Sequence, residues 1–186
     1  MLSTIVFCED RPADRPGRDL AEVLARTLAS LVPAKVEGLL GDVRIAGPAG
    51  KGLGAVANHA GCALVEAENE MDWLGLALHA ARGPDVFLLR CGRAPEAGFI
   101  EEAGDFLAAN SKAHAACLRA APESFLERVF PSLAAIAGLI ASRDSMLRAP
   151  RGGFQKLARC IGPAATLQTR ARRIGSLACP ILLARK

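Results

Sequence analysis

Apolar runs and helical periodicities alternate four times within the first 110 residues, and that alternation limits the fold more than any other feature. Leu2 to Cys8 is short, rich in β-branched residues and almost continuously apolar, as a strand buried on both faces must be. After a charged, proline-bearing loop, Asp19 stands where a helix cap belongs. Leu20, Val23, Leu24, Thr27, Leu28 and Leu31 then recur at three- and four-residue steps, the spacing of one helix face. Val43 to Ala46 reads as a second strand, ended by the glycine-rich stretch Gly47 to Gly54. A short helix over Ala55–His59 and a third strand over Cys62–Val65 follow. An acidic loop with Glu66, Glu68 and Glu70 leads to a helix over Asp72–Ala81, a strand over Val86–Leu89 and an amphipathic helix over Phe99–Leu107. The order β-α-β-α-β-α-β-α predicts a mostly parallel sheet with right-handed crossovers, flanked by helices.

The pattern loosens after residue 110. Lys112–Ala121 reads as weakly helical, and Ser132–Ala141 is apolar enough for a buried helix or a strand. Arg151–Phe154 reads as a turn, Gln155–Cys160 as a short helix, and Ala165–Ile174 as an edge strand or loop. At 186 residues the chain suits a single domain with one sizeable core. Half of its residues are hydrophobic, but Tyr is absent and Trp73 stands alone. That balance favours helices on a sheet over an all-β sandwich.

Composition also excludes functions. The apolar run Leu133–Ala141 is far short of the roughly 20 residues a bilayer requires. Ile5–Cys8 has no basic residue before it and acids after it, the reverse of a signal peptide. A cytoplasmic protein is expected. Cys8, Cys62, Cys91, Cys117, Cys160 and Cys179 form no C-x-x-C pair, so neither a zinc knuckle nor a disulfide framework is indicated. Cys91 differs from the rest by its place at a strand's carboxyl end. His59, His79 and His114 fall in predicted helices without acids at ligand or triad spacing, so no metal site is expected. No G-x-S-x-G elbow is present.

Residues 1–142 carry 13 Lys/Arg and 18 Asp/Glu, whereas residues 143–186 carry 10 basic residues and only Asp144. The resulting segment charges, −5 and +9, sum to the net +4 of the chain. A basic C-terminal segment suits something anionic: lipid head groups, diphosphates or nucleic acid. Nucleic acid ranks last, because the chain has no aromatic stacking platform and no recognition motif. Gly47-Pro-Ala-Gly-Lys-Gly-Leu-Gly54 is placed between strand and helix like a phosphate loop, but it lacks Gly-Lys-Ser/Thr and fails G-x-G-x-x-G at the last glycine. In open α/β sheets ligands bind beyond the carboxyl ends of the strands. The residues there are Cys8, Glu9 and Asp10, Ala46 to Pro48, and Arg90 to Arg93: two arginines and two acids facing one crevice.

In this order the segments resemble family 2 glycosyltransferases of the GT-A fold. Ser3-Thr-Ile-Val-Phe-Cys8 and Leu24-Ala-Arg-Thr-Leu-Ala-Ser-Leu31 resemble the family's first strand and helix. Gly41-Asp-Val-Arg-Ile-Ala46 and Ala57-Asn-His-Ala-Gly-Cys-Ala-Leu-Val65 resemble its second strand and the A-x-x-A-G-A-x-V that follows. Leu76-Ala-Leu-His-Ala-Ala-Arg-Gly83 before Val86–Leu89, then Pro95-Glu-Ala-Gly-Phe99, resemble the segments on either side of its metal motif. Gly138-Leu-Ile-Ala-Ser-Arg-Asp144 and Gly152-Gly-Phe154 resemble the acceptor side. The resemblance implies a single GT-A-like domain over 1–186, with a Rossmann-like nucleotide-binding half (1–110) and an acceptor-side half (111–186).

The family's functional motifs are replaced. Its Asp-x-Asp metal motif falls on Arg90-Cys91-Gly92, its nucleoside-reading aspartates on Ala46, Gly47 and Pro48, and its Glu-Asp base pair on Gln155–Arg159, which holds no carboxylate. The expectation is a glycosyltransferase-like protein that transfers a sugar from a nucleotide-sugar donor without a metal or other cofactor. Arg90 and Arg93 would hold the diphosphate beside Glu9, Asp10 and Pro48, and Asp144 or Glu9 would act as base. The alternative is a catalytically degenerate GT-A-fold binding or scaffold subunit with a protein partner, or one in peripheral contact with an anionic membrane.

Overall fold

The computed structural model describes residues 1–9, 19–109, 115–150 and 152–174. An eight-stranded mixed sheet forms its middle layer, with the strands in the order β3-β2-β1-β4-β7-β6-β8-β5. The parallel half comprises β1 (Leu2–Phe7), β2 (Leu40–Pro48), β3 (Ala63–Ala67) and β4 (Asp85–Arg90). β7 (Ile136–Ser142) runs antiparallel to both β4 and β6 (Ala115–Ala120). β8 (Ala165–Arg173) lies parallel to β6, and the three-residue β5 (Arg93–Pro95) closes the edge antiparallel to β8. Four of the seven strand pairs are parallel. The reversal at β7 brings β6 and β8 back into the direction of β1 and β4.

Helices cover both faces. On one lie α1 (Leu20–Val36), α2 (Leu53–Ala60) and α4 (Phe99–Ala108); on the other lie α3 (Glu70–Ala80), α6 (Arg143–Arg148) and α7 (Phe154–Ile161). All six residues of β1 are buried, because a parallel strand between two helical layers has no wet face. Alternation along the pleat sends Val6 and Cys8 to the α1 side and Ile5 and Phe7 to the α3 side. Phe7 meets Trp73 and Phe154 there, with ring centroids 6.3 and 6.0 Å away.

Asp19 caps α1 as its position suggests, accepting from the Ala21 N–H at 3.0 Å. Gly138 is glycine for want of room: a Cβ there would stand 2.9 Å from the Phe87 ring. The Phe87 ring in turn packs 4.9 Å from Phe99 and seats α4.

Several expectations need correction. Ala115–Ala120 is a strand, not part of a weak helix; pairing with β7 and β8 overrides the helix preference of its alanines. Ser132–Ala141 resolves into a 3-10 turn over Pro131–Leu133 and the strand β7. Gly47 and Pro48 belong to β2, paired with Glu66 and Ala67, so the glycine loop starts later than its composition suggests. β8 is an interior strand, because β5, unforeseen in the sequence, covers its outer side. Asp10, His114, Arg151 and Cys179 lie outside the described residues.

Candidate functional site

β1 and β4 are parallel neighbours in a register that pairs Phe7 with Arg90. The Cys91 N–H donates to the Phe7 carbonyl at 2.8 Å, carrying that register one step past the strands. The pleat therefore delivers two unlike pairs to two faces. Glu9 and Arg90 turn to the α3–α7 side, while Cys8 and Cys91 pack toward α1. Arg90 donates to Glu9 Oε2 at 2.7 Å, with side chains only 16% and 22% exposed. Each ion thereby offsets the desolvation the other suffers.

Glu9 borders a cleft of about 640 Å³ at the carboxyl edge of the sheet. Its other walls are Glu68, Asn69 and Glu70 from the β3–α3 turn, Trp73 on α3, and Gly153, Gln155 and Lys156 at the start of α7. Asn69 holds the turn by capping α3, accepting from the Asp72 N–H at 3.0 Å. Glu70 reaches across to α7, and its Oε1 accepts from the Phe154 N–H at 3.0 Å. A carboxylate there answers the positive end of the helix dipole. It also explains Gly153, where a Cβ would stand 2.2 Å from Glu70 Oε1. Trp73 lines the same cleft, and its Nε1–H is buried without an acceptor.

On the opposite face, Thr27 of α1 donates to the Val23 carbonyl at 2.8 Å and accepts from the Gly92 N–H at 2.9 Å. Its hydroxyl also stands 3.9 Å from Cys91 Sγ. The hydrogen bond between Cys8 and Cys91, with burial, pushes the Cys8 thiol well above the ordinary range. That same bond, helped by Thr27 and the Gly92 N–H, holds Cys91 below it although burial acts the other way.

The other expected site residues are dispersed. Arg93 bonds Glu123 at 2.8 Å, and Arg173 shares that carboxylate at 3.3 Å. Pro48 is buried at the end of β2. Asp144 sits on α6 after β7, whose last residue pairs with Asp85 at the amino end of β4. Five residues of β4, about 17 Å of strand, separate that level from Arg90. Glu68 and Glu70 were overlooked as site residues because the acidic stretch after the third strand reads as a solvated loop. The rule that placed Glu9, that sites form beyond strand carboxyl ends, applies equally to them.

No protein-family model and no curated protein matches the chain. Solved structures do. A mycobacterial protein shares the fold with a TM-score of 0.60 at 16% identity, over 92% of this chain and 65% of that one. Glucosyl-3-phosphoglycerate synthase from Mycobacterium tuberculosis, seen with Mn2+, UDP and glucosyl-3-phosphoglycerate, gives 0.59 at 14% identity, over 89% of this chain and 69% of that one. Mannosyl-3-phosphoglycerate synthase from Rubrobacter xylanophilus gives 0.59 at 16% identity, over 89% and 64%. The chain thus spans about two thirds of the length of these structures.

The divalent ion that such a fold implies does not suit the residues present. Arg90 occupies the strand end and Cys91 turns to the other face. Among the described residues no group of three or more His, Cys, Asp or Glu side chains could hold a metal. The sheet order, the helices on both faces and the crevice at the strand ends are those of a GT-A glycosyltransferase fold.

Proposed function

We propose that the cleft beside Arg90 and Glu9 takes a nucleotide sugar, and that the protein is a metal-independent, glycosyltransferase-like enzyme. The observation that carries this reading is the Arg90–Glu9 ion pair at the edge of the cleft. A diphosphate entering the crevice competes with Glu9 for the guanidinium, which bonds two phosphate oxygens as readily as a carboxylate. Capture of Arg90 frees Glu9. The freed carboxylate takes the proton of an acceptor hydroxyl as that oxygen attacks the anomeric carbon. The bond from that carbon to the diphosphate breaks, and Arg90 holds the charge of the leaving group. Glu68, Asn69 and Gln155 supply hydrogen-bonding groups for sugar hydroxyls in the same cleft.

The test is calorimetric titration with UDP- and GDP-sugars, with and without EDTA, followed by turnover assays. Binding that survives EDTA and is lost in Arg90→Met supports the reading; no binding of any sugar nucleotide removes it. Glu9→Gln is expected to retain binding and to lose turnover at least 100-fold, the scale of general-base catalysis at roughly 10²–10⁴.

A second reading, a non-catalytic GT-A-fold subunit, is favoured by Glu70. The only carboxylate at the start of α7 is committed to the Phe154 N–H rather than to an incoming acceptor. Tight sugar-nucleotide binding with no turnover on any acceptor would select it.

A further inference from the structure

Between β6 and β7 the chain passes through α5 (Phe125–Val129) and the 3-10 turn Pro131–Leu133. Ten large hydrophobic side chains stand exposed among the described residues, and five of them fall within these nine positions. They are Phe125 at 76%, Leu126 at 63%, Val129 at 51%, Phe130 at 55% and Leu133 at 63%. No residue of α5 or of the turn is buried. The segment is nevertheless built with care. Ser124 and Glu127 form a capping box on α5, and the Arg119 guanidinium anchors the turn through the Ser132 and Ala134 carbonyls at 2.7 and 2.8 Å. A held, projecting segment that presents two phenylalanines and buries nothing contributes little to folding, and such apolar clusters mark contact surfaces.

Charge around the segment identifies the contact. Arg93 and Arg173 converge on Glu123 at the root of α5, Arg119 lies beneath the turn, and Arg128 stands exposed among the apolar side chains. Both nearby carboxylates are occupied: Glu123 by those two arginines, and Glu127 by the backbone N–H groups of Glu123 and Ser124. Four arginines against two engaged glutamates leave a cationic collar around an apolar tip, the pattern of an element that seats in the interface of an anionic bilayer.

We propose that α5 and the following turn form a docking surface for an anionic lipid bilayer. β6 runs in the direction of β1 and β4, so the segment leaves the sheet at the same carboxyl edge as the Arg90–Glu9 cleft. Docking would therefore turn that edge, with its cleft, toward the membrane. Lipid binding itself stands without the sugar-nucleotide reading, because the probe contains neither nucleotide nor sugar.

The experiment is co-sedimentation of the whole chain with phosphatidylglycerol-containing vesicles and with neutral phosphatidylcholine vesicles, alongside light scattering without lipid. Preferential binding to the anionic vesicles, weakened at least tenfold in a Phe125→Ser, Leu126→Ser, Phe130→Ser variant of unchanged melting temperature and more modestly in Arg128→Gln, supports the proposal. Should the triple variant not fold, Phe125→Trp reads the same contact. Its emission is expected to shift to the blue on anionic vesicles and to be quenched by brominated lipid. Three results would overturn the proposal. One is no vesicle binding by the wild-type chain; another is equal binding by the triple variant. The third is a wild-type dimer that ignores vesicles and that the triple variant dissociates, which would give the surface to a second copy instead.

Discussion

Phe7 and Phe125 lie at the same edge of the sheet and meet opposite fates. Phe7, at the end of β1, is fully buried between Trp73 and Phe154; Phe125, at the start of α5, is 76% exposed and touches no core. One phenylalanine is held by two layers of helices closing over a parallel strand. The other rides on a five-residue helix that no layer covers. The contrast separates residues that create the fold from residues the fold merely carries to its surface.

That division of labour can be broken by measurement. Phe7→Ala should cost about 3–5 kcal/mol of stability, the scale for emptying a packed aromatic site, read from denaturant unfolding. A loss below about 1 kcal/mol would mean that β1 is not the keystone its burial suggests. Arg90→Met strands Glu9 in a half-covered position. The expected loss is about 1–2 kcal/mol, less than for a fully buried pair because both side chains keep some water, and Glu9→Gln in the same background should recover part of it.

Glu102 supplies a milder, pH-dependent case. Burial pushes its carboxyl up. Hydrogen bonds from the Thr169 hydroxyl and from the N–H groups of Gln168 and Thr169, with the charge of Arg170, outweigh burial and leave it lowered. A carboxyl lowered by folding stabilises above its unfolded value, about 4.3. That contribution fades as pH falls through the folded value. Glu102→Gln should therefore cost roughly 1 kcal/mol or less at pH 7 and nothing further in acid, so wild-type and variant melting curves converge below about pH 4. The smallest effect belongs to the other side of the comparison: Phe125→Ser should leave stability within about 0.5 kcal/mol. A larger loss would place α5 in the core after all.

The same contrast explains what could be read from the chain. The parallel half was legible because β1 and β4 are buried on both faces and so are written as unbroken apolar runs. Ala115–Ala120 was not legible, since alanine favours helix and only its neighbours β7 and β8 make it a strand. The meeting of Glu9 with Arg90 followed from the rule about strand ends. The placement of Asp144 did not, because it depends on which way β7 runs, and an apolar run reads alike in either direction. Glu70 could not be assigned its partner, since the Phe154 N–H lies 84 residues away in sequence.

The pairing of Phe7 with Arg90 has one more consequence. Side chains alternate along a strand as letters do in a two-letter frame, so one residue inserted into or deleted from β4 would exchange the two pairs at its tip. The guanidinium would be driven against the hydroxyl of Thr27 in the dry layer beneath α1, and a thiol would look out over the cleft. Point changes at this edge tune the crevice; only a frameshift of the strand would turn it inside out.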